Sequence, residues 1–135
     1  MKPLCLAFSG TQLGLSAAQH EALSQFLTQS EPWMLEFHHG DCTGADAQAH
    51  ALVRQICNDV RIVVHPPSNS AKRAWCQGGK LLPPKPYLTR NRDIVDACDM
   101  LLACPKEQEE TLRSGTWATI RYARAVGKTV RILYP

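Results

Sequence analysis

Residues 4–11 read LCLAFSGT, an apolar run that ends in a turn of small residues. A short apolar run without alternation predicts a strand buried on both faces, and the Ser9-Gly10 pair predicts the turn after it. Ser16 follows as a helix N-cap, and Gln19 stands three residues later, where a capping box places an amide. A buried strand, a turn and a capped helix form the first unit of a predicted parallel α/β sheet.

The same unit repeats along the chain. Apolar runs predict four further strands at 33–37, 60–64, 100–104 and 129–133, and helical spacing predicts helices at 17–28, 45–57, 92–98 and 115–126. Gly127 is predicted to end the last helix at its C′ position. Right-handed crossovers place helices on both faces of the sheet. We therefore predict a single Rossmann-like α/β domain over residues 1–135, with three layers and a mostly parallel five-stranded sheet.

The composition is typical of one globular domain. The chain has 135 residues, of which 44% are hydrophobic, enough for a core without disulfides. No run approaches the roughly 18 to 20 apolar residues of a membrane span, and no signal sequence precedes Leu4, which predicts a cytoplasmic protein with no membrane partner. Four cysteines lie in apolar stretches and are predicted to be reduced core thiols: Cys5, Cys57, Cys98 and Cys104.

Small-residue turns follow three of the predicted strands. They contain Ser9, Gly10 and Thr11 after the first strand; Gly40, Thr43, Gly44 and Asp46 after the second; and Ser114, Gly115 and Thr116 after the fourth. Each turn alone is typical of an ordinary helix cap. Because the carboxyl ends of parallel strands meet at one edge, three such turns predict a site where backbone N–H groups and helix dipoles bind a phosphate. No Walker A lysine follows Gly44, and no G-x-G-x-x-G motif is present.

The segment between Asp59 and Asp93 carries only positive charge. It contains no acidic residue but seven basic ones, Arg61, Lys72, Arg73, Lys80, Lys85, Arg90 and Arg92. Its irregular part, rich in Pro and Gly at about 66–89, predicts a basic lid over the site, although a solvated loop explains the same composition. We assign four residues of this segment to the ligand site: Arg73, Arg90, Asn91 and Arg92. The last three are placed where a helix begins, a position at which cations are disfavoured unless an anion is near.

Four motifs cover most of the chain: residues 40–46 (GDCTGAD), 65–67 (HPP), 87–95 (YLTRNRDIV) and 114–123 (SGTWATIRYA). In their order and spacing they resemble the SLOG superfamily, specifically its YspA and YpsA-related branch. The resemblance implies a Rossmann-like fold, a nucleotide or nucleotide-derived ligand and a homo-oligomer. Related LOG proteins are phosphoribohydrolases with a glutamate pair just after the Gly-Thr of the last motif. Here Gly115-Thr116 is followed by Trp117, Ala118 and Thr119, so the expected acid is absent.

The resulting hypothesis is a binding protein without chemistry of its own, a sensor, carrier or sequestering module with no cofactor and no metal. Trp117 is assigned to stack on a base, and Trp75 either stacks or holds the lid. The first alternative is a hydrolase that cleaves the N-glycosidic bond of a nucleoside monophosphate, with Asp46 or Glu110 as its acid or base. His65, Glu107 and Glu109 are further replacements for the missing acid, although an acidic run in a loop is more typical of a solvated surface. Asp46 otherwise bonds a ribose hydroxyl or a nearby backbone N–H.

The second alternative is binding of single-stranded DNA, favoured by the basic lid and the tryptophans. The short length and the pI of about 8.6 count against a nucleic-acid partner. A metal site built on Asp46 and His50 with His38 or His39 is disfavoured, because a third convincing ligand is missing.

Overall fold

The computed structural model describes residues 2–135, which form one parallel sheet of six strands with two helices on each face. The strands are β1 (Leu4–Gly10), β2 (Met34–His39), β3 (Arg61–Val64), β4 (Lys80–Leu81), β5 (Met100–Cys104) and β6 (Thr129–Ile132). The helices are α1 (Ala17–Ser30), α2 (Ala45–Ile56), α3 (Tyr87–Asp96) and α4 (Gly115–Ala125). The strand order is β4-β3-β2-β1-β5-β6. None of these helices is long and apolar enough to cross a membrane.

Strand β1 divides the core into two halves. Leu6 and Phe8 point to the face covered by α1 and α2, where Phe8 stacks on Phe37 with ring centroids 5.7 Å apart. Ala7 points to the opposite face and packs with Ile120 of α4 and other apolar residues of α3, α4 and β5. The predicted three layers are therefore confirmed.

The capping box predicted at Ser16 is present. Ser16 Oγ accepts a hydrogen bond from Gln19 N at 3.0 Å, and Gln19 Oε1 accepts one from Ser16 N at 3.0 Å. Gln19 is also buried, and its Nε2 donates to the carbonyls of Pro105 and Leu133. One side chain thus caps α1 and ties it to the ends of β5 and β6.

The sheet has six strands rather than the five predicted. The additional strand, β4, has only two residues, Lys80 and Leu81, and both are exposed at the sheet edge beside β3. It lies inside the predicted lid and lacks the apolar run by which the other strands were recognised. Exposure on an edge removes the burial that gives a strand its sequence pattern.

Helix α3 begins at Tyr87, five residues before the start that we predicted. Pro86 precedes the first turn as its N-cap residue. Arg90, Asn91 and Arg92 therefore lie inside the helix and not at its start, so the dipole argument made for them does not apply. The polar start of α3 hides the helical period in the sequence, since its first buried residue is Arg90.

The topology creates a crevice between β1 and β5. From β1 the chain passes through α1 to β2 on one side, whereas β5 lies on the other side of β1 and leads through α4 to β6. Because α1 and α4 cover opposite faces, the loops after β1 and β5 separate. Such switch points are where ligands bind in open parallel sheets.

Candidate functional site

A cavity of about 190 Å³ lies at this switch point and is called the cleft below. It is lined by Gly10, Thr11 and Gln12 after β1, by Ser114, Gly115 and Thr116 before α4, and by Tyr87, Lys106 and Glu107. An outer cavity of about 430 Å³ shares four of these residues and adds Leu88, Leu112, Arg113 and Ala118. Together they offer a polar inner end and a more apolar outer end.

The inner end of the cleft contains free backbone donors. Ser114 Oγ accepts the N–H of Trp117 at 3.2 Å, as an N-cap does. Within residues 2–135, the N–H groups of Gly115 and Thr116 have no acceptor. These donors carry the positive end of the α4 dipole, and the exposed Lys106 adds a full charge at the same cavity. The arrangement has the chemistry of an anion site.

Tyr87 forms the aromatic wall of the cleft. Its hydroxyl lies against the backbone of Gly115, so close that a Cβ at Gly115 would be 2.5 Å from it. The guanidinium of Arg90 lies over the ring at 4.8 Å from the centroid, and burial raises the pKa of the hydroxyl. The ring is therefore held in place, and its hydroxyl remains protonated at neutral pH.

Glu107 is the acidic residue of the cleft. Its Oε1 is buried and has no hydrogen-bond partner among the described residues. Glu110, which we had assigned as a candidate acid or base, instead pairs with Arg121 at 3.0 Å on the surface and does not line the cleft. The loop between β5 and α4 thus presents a carboxylate to the cleft, and it is Glu107, one of the three acidic residues considered on this loop, rather than Glu110.

The turn at residues 40–44 is filled by protein atoms. Gly44 has a φ of +92°, and a Cβ there would overlap the carbonyls of Thr11 and Gln12. A Cβ at Gly40 would meet the Arg90 guanidinium, and the N–H of Thr43 donates to Lys72 O at 3.1 Å. These glycines allow the turn to pack against its neighbours and leave no space for a phosphate.

Asp46 is buried behind this turn rather than in the cleft. Its Oδ2 accepts the N–H of Cys42 at 3.2 Å, which fits the backbone role considered for it. Burial raises the pKa of Asp46 to about 6, opposed by the nearby Arg90 charge. Because Asp46 is only 5% exposed, a substrate has no route to its carboxylate.

Arg90 organises the same region from α3. It is 3% exposed and donates to the carbonyls of Gly40 and His65, the latter at 3.2 Å. Its Nε donates to Asn91 Oδ1 at 2.8 Å, and Asn91 is buried as well. Only Arg92 of this group is exposed, and it stacks over Tyr122 at 5.3 Å. The positive charge of Arg90 therefore interacts with groups inside the protein.

The predicted lid is fixed to the turn through Asp41. This residue is 0% exposed, and its carboxylate accepts from Arg73 Nε and from Cys76 N, each at 2.9 Å. Its carbonyl accepts from Ala74 N at 2.7 Å. Arg73 also stacks on Trp75 at 3.8 Å, so both residues contribute to holding this segment.

Two buried histidines, His39 and His50, attach the predicted lid to the rest of the protein at a second place. The N–H of Asp41 donates to His39 Nδ1 at 3.0 Å, so the proton of a neutral His39 ring is on Nε2. This Nε2 lies 2.9 Å from His50 Nδ1, to which it donates. His50 Nε2 then donates to Gln77 O at 2.7 Å. Burial lowers the pKa of His39 to about 3, which keeps this ring neutral. The chain of hydrogen bonds links β2, α2 and the predicted lid.

The structure brings five of the assigned ligand residues together in the cleft: Gly10, Thr11, Ser114, Gly115 and Thr116. Ser9 lies within β1 beside Ala103, and Trp117 is 3% exposed in the core, where it has no face free for a base. The remaining assignments lie outside the cleft: Gly40, Thr43, Gly44, Asp46, Arg73, Arg90, Asn91 and Arg92. Sequence reasoning did not assign Gln12, Tyr87 or Lys106 to the ligand site, and it considered Glu107 only as a substitute acid.

Comparison with known proteins identifies the fold. No family model and no curated protein matches the sequence. The solved structure of a molybdenum cofactor binding protein from the phototrophic bacterium Rippkaea orientalis is similar, with a TM-score of 0.72 and 17% sequence identity. The match covers 100% of this chain and 78% of that protein. The chain has a Rossmann-like fold. At this identity the likeness concerns the fold alone.

Two further solved structures share the Rossmann-like fold. TM1055 matches over 96% of this chain and 72% of its own, with a TM-score of 0.64 and 17% identity. The DNA processing protein A (DprA) of Streptococcus pneumoniae matches over 97% of this chain, with a TM-score of 0.70 and 18% identity. This chain spans only 50% of the length of DprA.

Proposed function

We propose that this protein is a cytoplasmic SLOG-type binding module of the YspA and YpsA-related branch, which holds a nucleotide or nucleotide-derived molecule in the cleft between β1 and β5. The observation that carries the proposal is the pair of free N–H groups on Gly115 and Thr116 at a switch point, beside Lys106. Backbone donors at a helix start bind phosphate in other α/β domains. The bound molecule is sensed, carried or sequestered.

Each part of a nucleotide has a matching region. The phosphate binds the start of α4, and the sugar hydroxyls lie near Thr11, Gln12 and Glu107. The base occupies the outer cavity, where Leu88 and Leu112 are exposed and the ring of Tyr87 offers a surface for stacking. A relative of the same fold is a molybdenum cofactor binding protein, which supports a small-molecule ligand.

The geometry of α4 supports binding without turnover. The acidic residue of the related hydrolases corresponds in position to Ala118 or Thr119. Ala118 has no ionisable group, and Thr119 Oγ1 already donates a hydrogen bond to Gly115 O at 3.0 Å. A glycosidic hydrolase needs an acid or base within reach of the reacting bond, which contributes roughly 10²- to 10⁴-fold in rate.

Hydrolysis remains a second candidate because of Glu107, whose buried and unpartnered Oε1 lies in the cleft. Purified protein incubated with nucleoside monophosphates should release no free base or ribose phosphate over many turnovers. Turnover that is lost in Glu107→Gln and kept in Glu110→Gln would overturn the binding-only proposal and establish the hydrolase. Glu110 is the matched control, because it lies on the same loop but outside the cleft.

Single-stranded DNA is disfavoured as a partner. Arg73 of the predicted basic lid and Arg90 just after it are engaged within the protein. Such proteins use an open basic groove with a row of exposed aromatic rings. The exposed aromatic rings Trp33, Trp75 and Tyr134 lie on separate segments, before β2, in the predicted lid and after β6.

Replacing Lys106 by alanine should weaken binding of adenosine monophosphate by about 1.5 kcal/mol, roughly tenfold, because one charge-assisted contact to phosphate is lost. Isothermal titration calorimetry of both proteins measures the change. Lys80→Ala removes the same charge from β4, away from the cleft, and should leave the affinity unchanged. Equal affinities for the parent and Lys106→Ala would show that the phosphate binds elsewhere.

The natural ligand is identified by mass spectrometry of small molecules released when freshly purified protein is denatured. A phosphate-bearing nucleotide derivative at near one equivalent per chain is expected, and a species without phosphate would contradict the proposal. The resemblance also implies self-association, which sedimentation velocity on the same sample tests.

A further inference from the structure

Two thiols and an imidazole converge near the amino end of β1, at the edge of the sheet opposite the cleft. Cys5 lies on β1, His38 on β2, and Cys98 in the turn between α3 and β5. Cys5 Sγ and Cys98 Sγ are 3.1 Å apart, and a ring nitrogen of His38 and both sulfurs lie within 4.8 Å of one another. These are three side chains of the types that bind transition metals.

A carboxylate lies beside the group. Glu36 Oε1 lies 3.0 Å from His38 Nε2 and 3.8 Å from Cys5 Sγ. Glu36 is in register with Cys5 on the adjacent strand, and His38 follows on the same face. Two sulfurs and one nitrogen therefore lie close enough together to share one ion, with Glu36 beside them. The fourth position of a tetrahedral site is left to solvent.

The surroundings hold these side chains in place. His38 Nδ1 lies 2.8 Å from His65 Nε2, and His38 Nε2 lies 3.0 Å from Glu36 Oε1, so hydrogen bonds on both sides hold the ring beside the sulfurs. The backbone N–H of Cys5 donates to Asp99 Oδ2 at 2.9 Å. Hydrogen bonds of this kind to the outer nitrogen of a histidine accompany metal binding in proteins.

An ion has a route to the group from solvent. A cavity of about 530 Å³ opens beside Cys5, and its wall contains Glu36, Asp59 and Asp99 against one cation, Arg61. This excess of negative charge attracts a cation toward the thiols.

We propose that Cys5, His38 and Cys98, next to the carboxylate of Glu36, form a three-ligand binding site for a thiolate-preferring divalent metal ion such as Zn²⁺. Thiolate and imidazole ligands select Zn²⁺ over Mg²⁺ or Ca²⁺, which prefer oxygen. With Zn–S bonds of about 2.3 Å, the sulfurs move apart to about 3.8 Å in a tetrahedral site. Binding displaces the protons of the thiols, which pass to solvent. The site is separate from the proposed nucleotide cleft and does not depend on it.

The sequence does not reveal this site, because its ligands come from three distant segments and include no C-x-x-C pair. A second group, His39, His50 and Cys76, also has metal-ligating residue types. Histidine nitrogens are hydrogen-bonded in both groups, but the second group contains one thiol instead of two, whereas the group on β1 also borders the cavity beside Cys5. We therefore assign the ion to the group on β1.

Titration of the reduced, metal-free full chain with Co²⁺ tests the proposal. One equivalent should produce a thiolate-to-cobalt charge-transfer band, which Zn²⁺ then removes by displacement, and Zn²⁺ should raise the melting temperature. Cys5→Ser and Cys98→Ser should each abolish the band, and His65→Ala should weaken binding roughly 10- to 100-fold by releasing the His38 ring. Cys57→Ser is the matched control, a buried thiol outside the group, and should bind as the parent does.

Circular dichroism establishes that each variant is folded, and Cys5→Ser, at a half-buried position, is decisive if Cys98→Ser does not fold. The proposal is overturned if no charge-transfer band appears, if the band survives in Cys5→Ser, or if Cys76→Ser alone removes it. Recovery of Cys5 and Cys98 as a disulfide from freshly lysed cells would equally overturn it.

Discussion

Replacing Arg90 by alanine is expected to destabilise the fold by roughly 3 to 5 kcal/mol, the cost of removing one member of a buried charged network. The substitution leaves the carbonyls of Gly40 and His65 without this donor in a buried region. It also removes the positive charge nearest to the buried Asp46. An unpaired buried acceptor alone costs about 1 to 3 kcal/mol. The residue that the sequence suggested as a ligand contact is thus expected to act mainly on stability.

Urea unfolding followed by circular dichroism measures this loss. Arg92→Ala is the matched control, because Arg92 lies two residues away on the same helix, is exposed and only stacks on Tyr122. Its effect should stay within about 1 kcal/mol, as for most exposed contacts. A variant Arg90→Ala that unfolds like the parent but loses its ligand would restore the original assignment of Arg90 to the binding site.

Replacing Gly44 by alanine should cost about 3 to 5 kcal/mol, of which about 1 to 3 kcal/mol comes from placing a side chain on a backbone at φ +92° and ψ −126°. The rest arises because the new Cβ overlaps the Gln12 carbonyl and forces apart the turns after β1 and β2. Binding should weaken as well, since Thr11 and Gln12 line the cleft.

Gly127→Ala is the comparison for a side chain at positive φ without overlap. Gly127 has a φ of +79°, and a Cβ there would meet nothing within 4 Å. The difference between the two variants in free energy of unfolding therefore measures the overlap together with the additional strain of the Gly44 backbone at ψ −126°. If Gly44→Ala were no less stable than Gly127→Ala, the close packing of the two turns would be disproved.

The fold was predictable where burial leaves a pattern in the sequence. Strand β5 was predicted at its observed bounds because Leu101, Leu102, Ala103 and Cys104 are all buried. The capping box at Ser16 was predictable because it is local: its two side chains, Ser16 and Gln19, are only three positions apart. Strand β4 and the start of α3 were missed, because exposed edges and polar first turns carry no such pattern.

The site was only partly predictable for a different reason. A glycine turn shows that backbone approaches something closely, but the sequence does not tell whether the neighbour is a ligand or the protein itself. At Gly44 the neighbour is the turn after β1, whereas at Gly115 it is Tyr87, a residue of the cleft. Likewise, the charges of Arg73 and Arg90 are directed to Asp41 and to backbone carbonyls, contacts that only the tertiary structure defines.

The central claim is that a phosphate-bearing ligand binds at the start of α4. Backbone amide spectra of the ¹⁵N-labelled protein, recorded during titration with adenosine monophosphate and separately with inorganic phosphate, test it most directly. The account predicts that the largest shifts occur at Gly115 and Thr116, with further shifts at Thr11 and Gln12, and that the nucleotide alone also shifts Leu88 and Leu112. Largest shifts at residues 40–44, or no saturable shift with either compound, would contradict it.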